Sequence, residues 1–338
     1  MVTVRDVARE AGVSPTAVSL VLNDRPGVGA ETKTRVRMAI QKTGYRPRAP
    51  GRPAQIARPL NLGIVYSCRV IHGGGLSKLA NTWISAIRQT AKLEGHHISV
   101  FSGGADDEAD SIFCHALDEG ELDGVIAIGL ASGTGYMKRL MRSGLPVVAM
   151  NRRAAHGEFS SVDMDNYGGG RAAAVHLLEL GHERLAVLGV GDASAFFQER
   201  RQGFLDALAE ANKDLVTDEE TKVNVLPETL KKVLHRLRSA KVTGVFVLTD
   251  NIATQLLALM EEQPGKRLPQ ISIIGFDDTG AAGGDEKPPT SIGYDKALMG
   301  CEAALMLCDL VYRGEAIHCR TLMVPVQVVD HGTTAAPA

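Results

Sequence analysis

Apolar residues recur along this chain in three textures, and each predicts a different kind of structure. Over residues 3–11 they stand at Val4, Val7, Ala8 and Ala11, the spacing of a helix with one buried stripe. Thr3 can cap its start, and Gly12 can take the left-handed backbone that ends it. Ser14-Pro15 restarts a helix, with a hydroxyl at the N-cap and a proline where a missing N–H costs nothing. Ala17, Val18, Val21 and Leu22 share one side of that second helix. After the turn at residues 23–27, Val36, Ala39 and Ile40 mark a third helix over 31–42, and Gly44-Tyr45-Arg46-Pro47 closes the module. Two short helices joined by a Gly-containing turn make a helix-turn-helix, with a merely packed helical hairpin as the bland alternative.

The second texture is residues 48–60, where Pro50, Gly51 and Pro53 break any long helix. Only Pro53 to Arg58 could form a turn, and Arg58 before Pro59 is pushed toward extended backbone. The third begins at Leu60. Apolar runs of strand length lie at 60–66, 98–101, 125–128 and 147–150, separated by helical patterns at 78–94, 108–119 and 134–143. A second set follows, with strands at 185–190, 222–226, 244–248 and 271–276 and helices near 167–180, 198–211, 228–239 and 251–262. A helix over 296–313 and a strand over 321–329 complete the pattern, and residues 331–338 read as a frayed tail. Strand–helix alternation twice over predicts an α/β fold: an all-α head followed by two doubly wound parallel lobes.

Composition adds limits. With 338 residues there is room for two or three domains, and 44% apolar with 22% charged residues suits a soluble globular chain. No apolar run reaches membrane-spanning length, and the N-terminus has no export pattern, which predicts a cytoplasmic protein. Cys68, Cys114, Cys301, Cys308 and Cys319 are odd in number and lack a Cys-x-x-Cys, so they read as small hydrophobes rather than a disulfide or zinc framework. Charge is unevenly placed: residues 1–58 hold eleven Lys or Arg against four Asp or Glu, a balance of +7, which leaves −9 for the rest of a chain whose net charge is −2. A basic head on an acidic body fits a polyphosphate-binding module joined to a separate domain.

Thr3-Val4-Arg5-Asp6-Val7-Ala8, Ala11-Gly12-Val13-Ser14, Val18-Ser19, Leu22-Asn23 and Gly44-Tyr45-Arg46-Pro47 together resemble the headpiece of the lactose/galactose repressor family. The resemblance continues in Asp165-Asn166-Tyr167-Gly168-Gly169, His176-Leu177, Gly181-His182, Arg200-Arg201-Gln202-Gly203-Phe204, Thr249-Asp250, residues 273–278 and Pro288-Pro289-Thr290-Ser291. It implies a homodimer that reads double-stranded DNA, a periplasmic-binding-protein-like type I body, and a sugar-like effector between the lobes. It also implies repression without a cofactor or metal. The domains it implies are a head at 1–47, a linker at 48–60, a first lobe of 61–160 with 292–321, and a second lobe of 161–291 with 322–330. Chain crossings then fall near 160, 291 and 321.

By position, Pro15, Thr16 and Leu20 occupy the family's base-reading sites. Leu20 stands where many members place an Arg, so a bidentate guanine contact is lost there; Thr16 hydrogen bonding and Leu20 against a thymine methyl replace it. Thr3, Ser14, Ser19, Asn23 and Tyr45 complete the DNA set, Ser14, Ser19 and Asn23 as phosphate contacts. The family's Asn-x-x-Ala-x-x-Leu hinge is absent; Ile56 is the candidate minor-groove wedge, and a wholly flexible linker without a wedge is the alternative. Asn151, Arg152, Arg200, Thr249 and Asp277 match effector residues; Arg and Asp can each bridge two hydroxyls. Asn151 and Thr249 depart from the family's usual Asp and Asn, which argues against a simple hexose. The bland readings are that Asp250 caps the helix at 251 and that Asp277 anchors its loop.

Elsewhere the chemistry is thin. Gly73-Gly74-Gly75 with Lys78 lacks the Lys-Ser/Thr ending of a P-loop and reads as a flexible cleft-edge loop. Asp106-Asp107-Glu108 favours the positive end of the following helix, His96-His97 has no ligand-spaced partner, and Trp83 reads as packing or dimer surface. No nucleophile–base pair suggests an enzyme. A solute-binding protein would need an export signal, and a constitutive DNA binder would lack a responsive cleft. The C-terminus has no heptad run for a tetramer bundle.

Overall fold

The computed structural model describes residues 4–14, 17–18, 21, 29, 32–33, 35–36, 38–39, 58–67, 74–103, 112–130, 135–152, 159–191, 195–221, 225–262, 271–280, 287–314 and 319–337. It divides into two units, residues 1–57 and 58–338.

In the first unit, helix α1 (Val4–Ala11) buries Val7, Ala8 and Ala11 against Val18, Val21, Val36 and Ala39. Gly12 ends it with φ +62°: its N–H donates to Arg9 O and the Val13 N–H to Ala8 O, the paired bonds of a Schellman cap. Helical backbone resumes with the Ala17 N–H donating to Ser14 Oγ at 3.1 Å, so Ser14 is the N-cap its sequence position predicts.

The second unit is built on two six-stranded sheets. The first lobe holds β1 (Asn61–Ser67), α2 (Gly74–Leu93), β2 (His97–Gly103), α3 (Ile112–Asp118), β3 (Gly124–Ile128), α4 (Gly135–Ser143), β4 (Val147–Met150) and β5 (Ser160–Met164). The second holds α5 (Asn166–Glu179), β6 (Leu185–Val190), α6 (Ala195–Glu210), β7 (Leu215–Thr221), α7 (Pro227–Ser239), β8 (Gly244–Val247), α8 (Asp250–Glu261), β9 (Ser272–Phe276) and β10 (Thr290–Tyr294). Helix α9 (Lys296–Arg313) then packs on α2 of the first lobe, β11 (Thr321–Val324) joins the first sheet and β12 (Val326–Val329) the second. Strand orders are β11-β5-β4-β3-β1-β2 and β12-β10-β9-β8-β6-β7, parallel throughout except for β10 with β12.

Central strands β3, β4 and β9 are buried along their whole length, since helices cover both faces of a parallel sheet. β5, β10 and β11 stay with their sheets to residues 164, 294 and 324, so the passages between sheets come four or five residues later than the resemblance placed them. Ser160–Met164 and Thr290–Tyr294 are strands that no apolar run announced. Their Ser, Thr and Asp side chains are buried and hydrogen-bonded, as in Ser161 Oγ with Thr321 Oγ1 at 3.2 Å.

Three further expectations change. Leu215–Thr221 is a strand that no apolar run announced, while residues 222–224 of the strand expected at 222–226 lie outside the described residues; among those described it is an edge strand, paired only with β6, and so tolerates Asp218, Glu219 and Glu220. Gly74 and Gly75 belong to the first turn of α2, not to a loop. Residues 331–337 are not frayed. The Ile273 N–H donates to Thr333 O (3.0 Å), Thr333 Oγ1 to Ile273 O (2.7 Å), the Thr290 N–H to Thr333 Oγ1 (2.8 Å) and Ser272 Oγ to Ala335 O (3.0 Å). Hydroxyls at the start of β9 and β10 thus satisfy the tail's backbone, a pairing that polarity alone does not reveal.

Candidate functional site

In doubly wound sheets the loops after the strands gather at the carboxyl edge, and ligands bind there. Arg200 rises from α6 to this edge of the second lobe. It does so because α5 and α6 cross at glycines: a Cβ on Gly170 would collide with the Arg200 carbonyl oxygen, and one on Gly203 with that of Tyr167. The close approach carries the guanidinium into a fully buried cage. Nε donates to Asn166 Oδ1 (2.9 Å), Nη1 to Leu248 O (2.8 Å) and Nη2 to Asp277 Oδ1 (3.1 Å), while the Phe276 ring lies 3.5 Å from the guanidinium carbon. Only 2% of the Arg200 side chain and 6% of the Asp277 side chain is exposed, so the pair is a desolvated, charge-assisted contact. Burial pushes the Asp277 carboxyl above its usual value, against the pull of Arg200.

Asp250, beside this pair, does not cap α8; Thr249 holds the N-cap position, buried, in extended backbone. The Asp250 carboxylate instead accepts Ser291 Oγ (2.7 Å) and the Thr279 N–H (2.9 Å). Burial first, and then the charge of Asp277, push it up to about 8. Asp277 does anchor its loop, through its N–H to Ile292 O at 2.9 Å, in addition to pairing with Arg200. Tyr294, at the end of β10, is a site residue that the sequence pattern missed. Its hydroxyl is buried without a hydrogen-bond partner, Lys296 Nζ sits 5.0 Å from its ring centre, and burial raises its ionisation well above the usual value.

The first lobe supplies the other two effector candidates. Asn151 follows β4 with φ +55°, and its buried Oδ1 has no hydrogen-bond partner. Arg152, half-buried, donates from Nη1 to Leu130 O and lies 5.8 Å over the Phe159 ring. Arg200 and Asp277 are thus brought together with Thr249 close in chain to Asp250, whereas Asn151 and Arg152 stand on the carboxyl edge of the other sheet. Helix α2 meets α8 between the lobes.

Of the DNA set, Ser14 is described, its oxygen engaged as an N-cap; Thr3, Pro15, Thr16, Ser19, Leu20, Asn23, Tyr45 and Ile56 lie outside the described residues, as do residues 53–57 of the linker turn and Asp106-Asp107-Glu108. Trp83 is fully buried packing. His96 is internally partnered: Nδ1 accepts from the Leu60 N–H at 3.4 Å and Nε2 lies 3.1 Å from the Tyr312 hydroxyl.

Residues 3–48 match the family described as bacterial regulatory proteins, lacI family, and residues 174–334 match a periplasmic binding protein-like domain. The HTH-type transcriptional repressor PurR of Pectobacterium carotovorum subsp. carotovorum is 30% identical over 320 residues, covering 92% of this chain and 91% of its own. The chain belongs to the lacI family. As a lacI-family member it is a DNA-binding transcriptional regulator and not an enzyme. Two solved structures share its fold from end to end. A transcriptional regulator CelR–cellobiose complex has TM-score 0.67 and 23% identity, covering 99% of this chain and 100% of that one. A lac repressor dimer bound to operator and the anti-inducer ONPF has TM-score 0.64 and 23% identity, covering 99% of each. No described helix of this lacI-family chain is long and apolar enough to cross a membrane.

Proposed function

We propose that this regulator is a homodimeric repressor whose operator affinity is set by a small, polar, hydroxylated molecule held between the carboxyl edges of its two sheets. The observation that carries the reading is hydrogen-bonding capacity without an internal partner at that edge. Asn151 Oδ1 and the Tyr294 hydroxyl are both buried and unsatisfied, and Tyr294 lies in the electrostatic reach of the Arg200–Asp277 pair. Leaving such groups unmade costs about 1–3 kcal/mol each, which a ligand's hydroxyls repay. In this reading Arg200 and Asp277 grip adjacent hydroxyls, Asn151 and Thr249 fix orientation, and Arg152 closes the first-lobe side.

The two similar structures support the ligand class and the assembly by analogy: one holds cellobiose, the other is a dimer on its operator. Ligand binding would draw the lobes together through the three passages between sheets and so change how paired heads meet DNA. The heads themselves read sequence through Thr16 and Leu20, beside Pro15. Ser14, Ser19 and Asn23 position phosphates, Thr3 and Tyr45 support them, and Ile56 is the wedge.

The test is a binding-site selection with the full chain, followed by titration of the selected duplex with cellobiose, ribose and a panel of other sugars and nucleobases. One compound is expected to change operator affinity about 5- to 150-fold, the usual range of such coupling. A panel that binds nowhere and shifts nothing would replace this reading by a constitutive DNA binder. A strict guanine preference at the Leu20 step would overturn the assigned base contacts.

A further inference from the structure

The loop that carries Asp277 is held in an unusual way. Asp277 and Asp278 both have left-handed backbone, at φ +103° and +46°, conformations that cost side-chain-bearing residues free energy and persist only when neighbours impose them. Three amides impose them here: Asp277 N–H to Ile292 O, Asp278 N–H to Ser291 Oγ (3.0 Å) and Thr279 N–H to Asp250 Oδ2. A fourth tie is a side chain from the far end of the sequence. His331, just past β12, lies with Nε2 3.0 Å from Asp278 Oδ1. The docked tail fixes that histidine from both sides, because the His331 N–H donates to Thr290 Oγ1 (3.1 Å) and the Gly332 N–H to Asp330 Oδ1 (2.8 Å).

We propose that His331 is a positioning residue for the effector cleft: protonated, its ring holds Asp278 and with it the strained turn that presents Asp277, and neutral, it lets that turn open. The proposal rests on the assignment of Asp277 to the effector site. The charged groups around the contact favour it. On the tail, Asp330 is a second carboxylate that feels the His331 charge, and it is held below the usual range mainly by the Gly332 N–H. His176 of α5 faces Asp330, and Lys287 Nζ donates to Gly332 O at 3.1 Å. On the other side of Asp278 stand Lys296 of α9, with Nζ at 4.0 Å, and Asp250 of α8. Lys296 alone is too distant for a hydrogen bond, so the directional contact belongs to His331. Histidine is the side chain that changes charge between about pH 5 and 8, and losing the imidazolium replaces an ion pair by a weaker hydrogen bond from a neutral ring.

Hydrogen exchange on the full chain without any added ligand tests this. Protection factors of the Asp278 and Thr279 amides, corrected for intrinsic exchange, are followed from pH 5.5 to 7.5, with β6 amides reporting global stability. In the natural chain, protection of the loop should fall about fivefold across that range. His331→Arg should hold the low-pH protection throughout, and His331→Gln should show the high-pH value throughout. An arginine variant that retains the natural pH profile, or a glutamine variant as protected at pH 5.5 as the natural chain, overturns the proposal. If the glutamine variant fails to fold, the arginine variant decides alone. Because no effector enters, a pH-dependent loop in a cleft that binds none of the sugars or nucleobases would reject the effector assignment and keep the latch. A flat ligand-free profile in a chain that does bind one of those compounds would reject the latch alone.

Discussion

At the scale of single residues, the site is a balance of buried charges. Arg200 donates to three oxygen acceptors, one on α5 and one just after each of β8 and β9, so its removal leaves Asp277 desolvated without its cation. Arg200→Met, which fills similar volume, is expected to destabilise the second unit by about 3–5 kcal/mol, measured by urea unfolding. Asp250 has the opposite character. Burial raises its folded-state value to about 8 from the 3.8 of a free aspartate, so between those limits the folded chain binds a proton that the unfolded chain has lost. Stability therefore falls as pH rises from about 4 to 8, with a slope approaching about 1.4 kcal/mol per pH unit for one proton. Asp250→Asn should flatten that segment of the curve; an unchanged slope would assign the dependence to other groups. Arg200 and Asp277 were singled out in the sequence by the family resemblance, and the fold brings the two together. Asn166 and His331 were not: each is partnered by a residue tens of positions away, Arg200 and Asp278, and only the folded register brings such pairs together, while Tyr294 stands out only through the burial of its unpaired hydroxyl.

At the scale of elements, apolar periodicity reported what is buried on both faces and little else. β3, β4, β6, β8 and β9 are continuous apolar runs and were placed correctly to within a residue or two. β5, β7 and β10 were missed because hydrogen-bonded Ser and Thr, or a solvated edge, carry their polar side chains. The helix crossing of α5 and α6 was equally silent, since glycines in a helix read as weak propensity rather than as contact. Yet the crossing sets the height of Arg200. Gly170→Ala and Gly203→Ala each force a methyl into the facing helix's carbonyl, with no flexible side chain to yield. Each should cost about 3 kcal/mol as an overpacking change and lower the thermal midpoint by about 6–12 °C. Ligand affinity should fall with it, because the guanidinium moves with its helix. A calorimetric midpoint within a degree of the natural chain would show that the helices can part freely.

At the scale of the whole molecule, charge and chain economy divide the labour. The first 58 residues carry +7 and the remainder −9, so nearly all attraction for a polyanion resides in the head. Affinity for the selected duplex should fall about a thousandfold or more between 50 and 200 mM salt if six or more phosphates are engaged per dimer. Cutting the chain before Arg58 should be structurally mild. Arg58 pairs with Asp123 through both terminal nitrogens, at 2.9 and 2.6 Å, and the Asn61 N–H donates to the same carboxylate at 2.8 Å. The first strand of the body is therefore anchored from within the body. A fragment of residues 58–338 is expected to unfold cooperatively, to bind the same small molecule with affinity within about threefold of the full chain, and to show no salt-sensitive duplex binding. Calorimetry and a fluorescence titration measure the three properties on one sample. Retention of specific duplex recognition by that fragment would place the reader in the acidic body, against the charge distribution; loss of ligand binding would mean that the head completes the cleft.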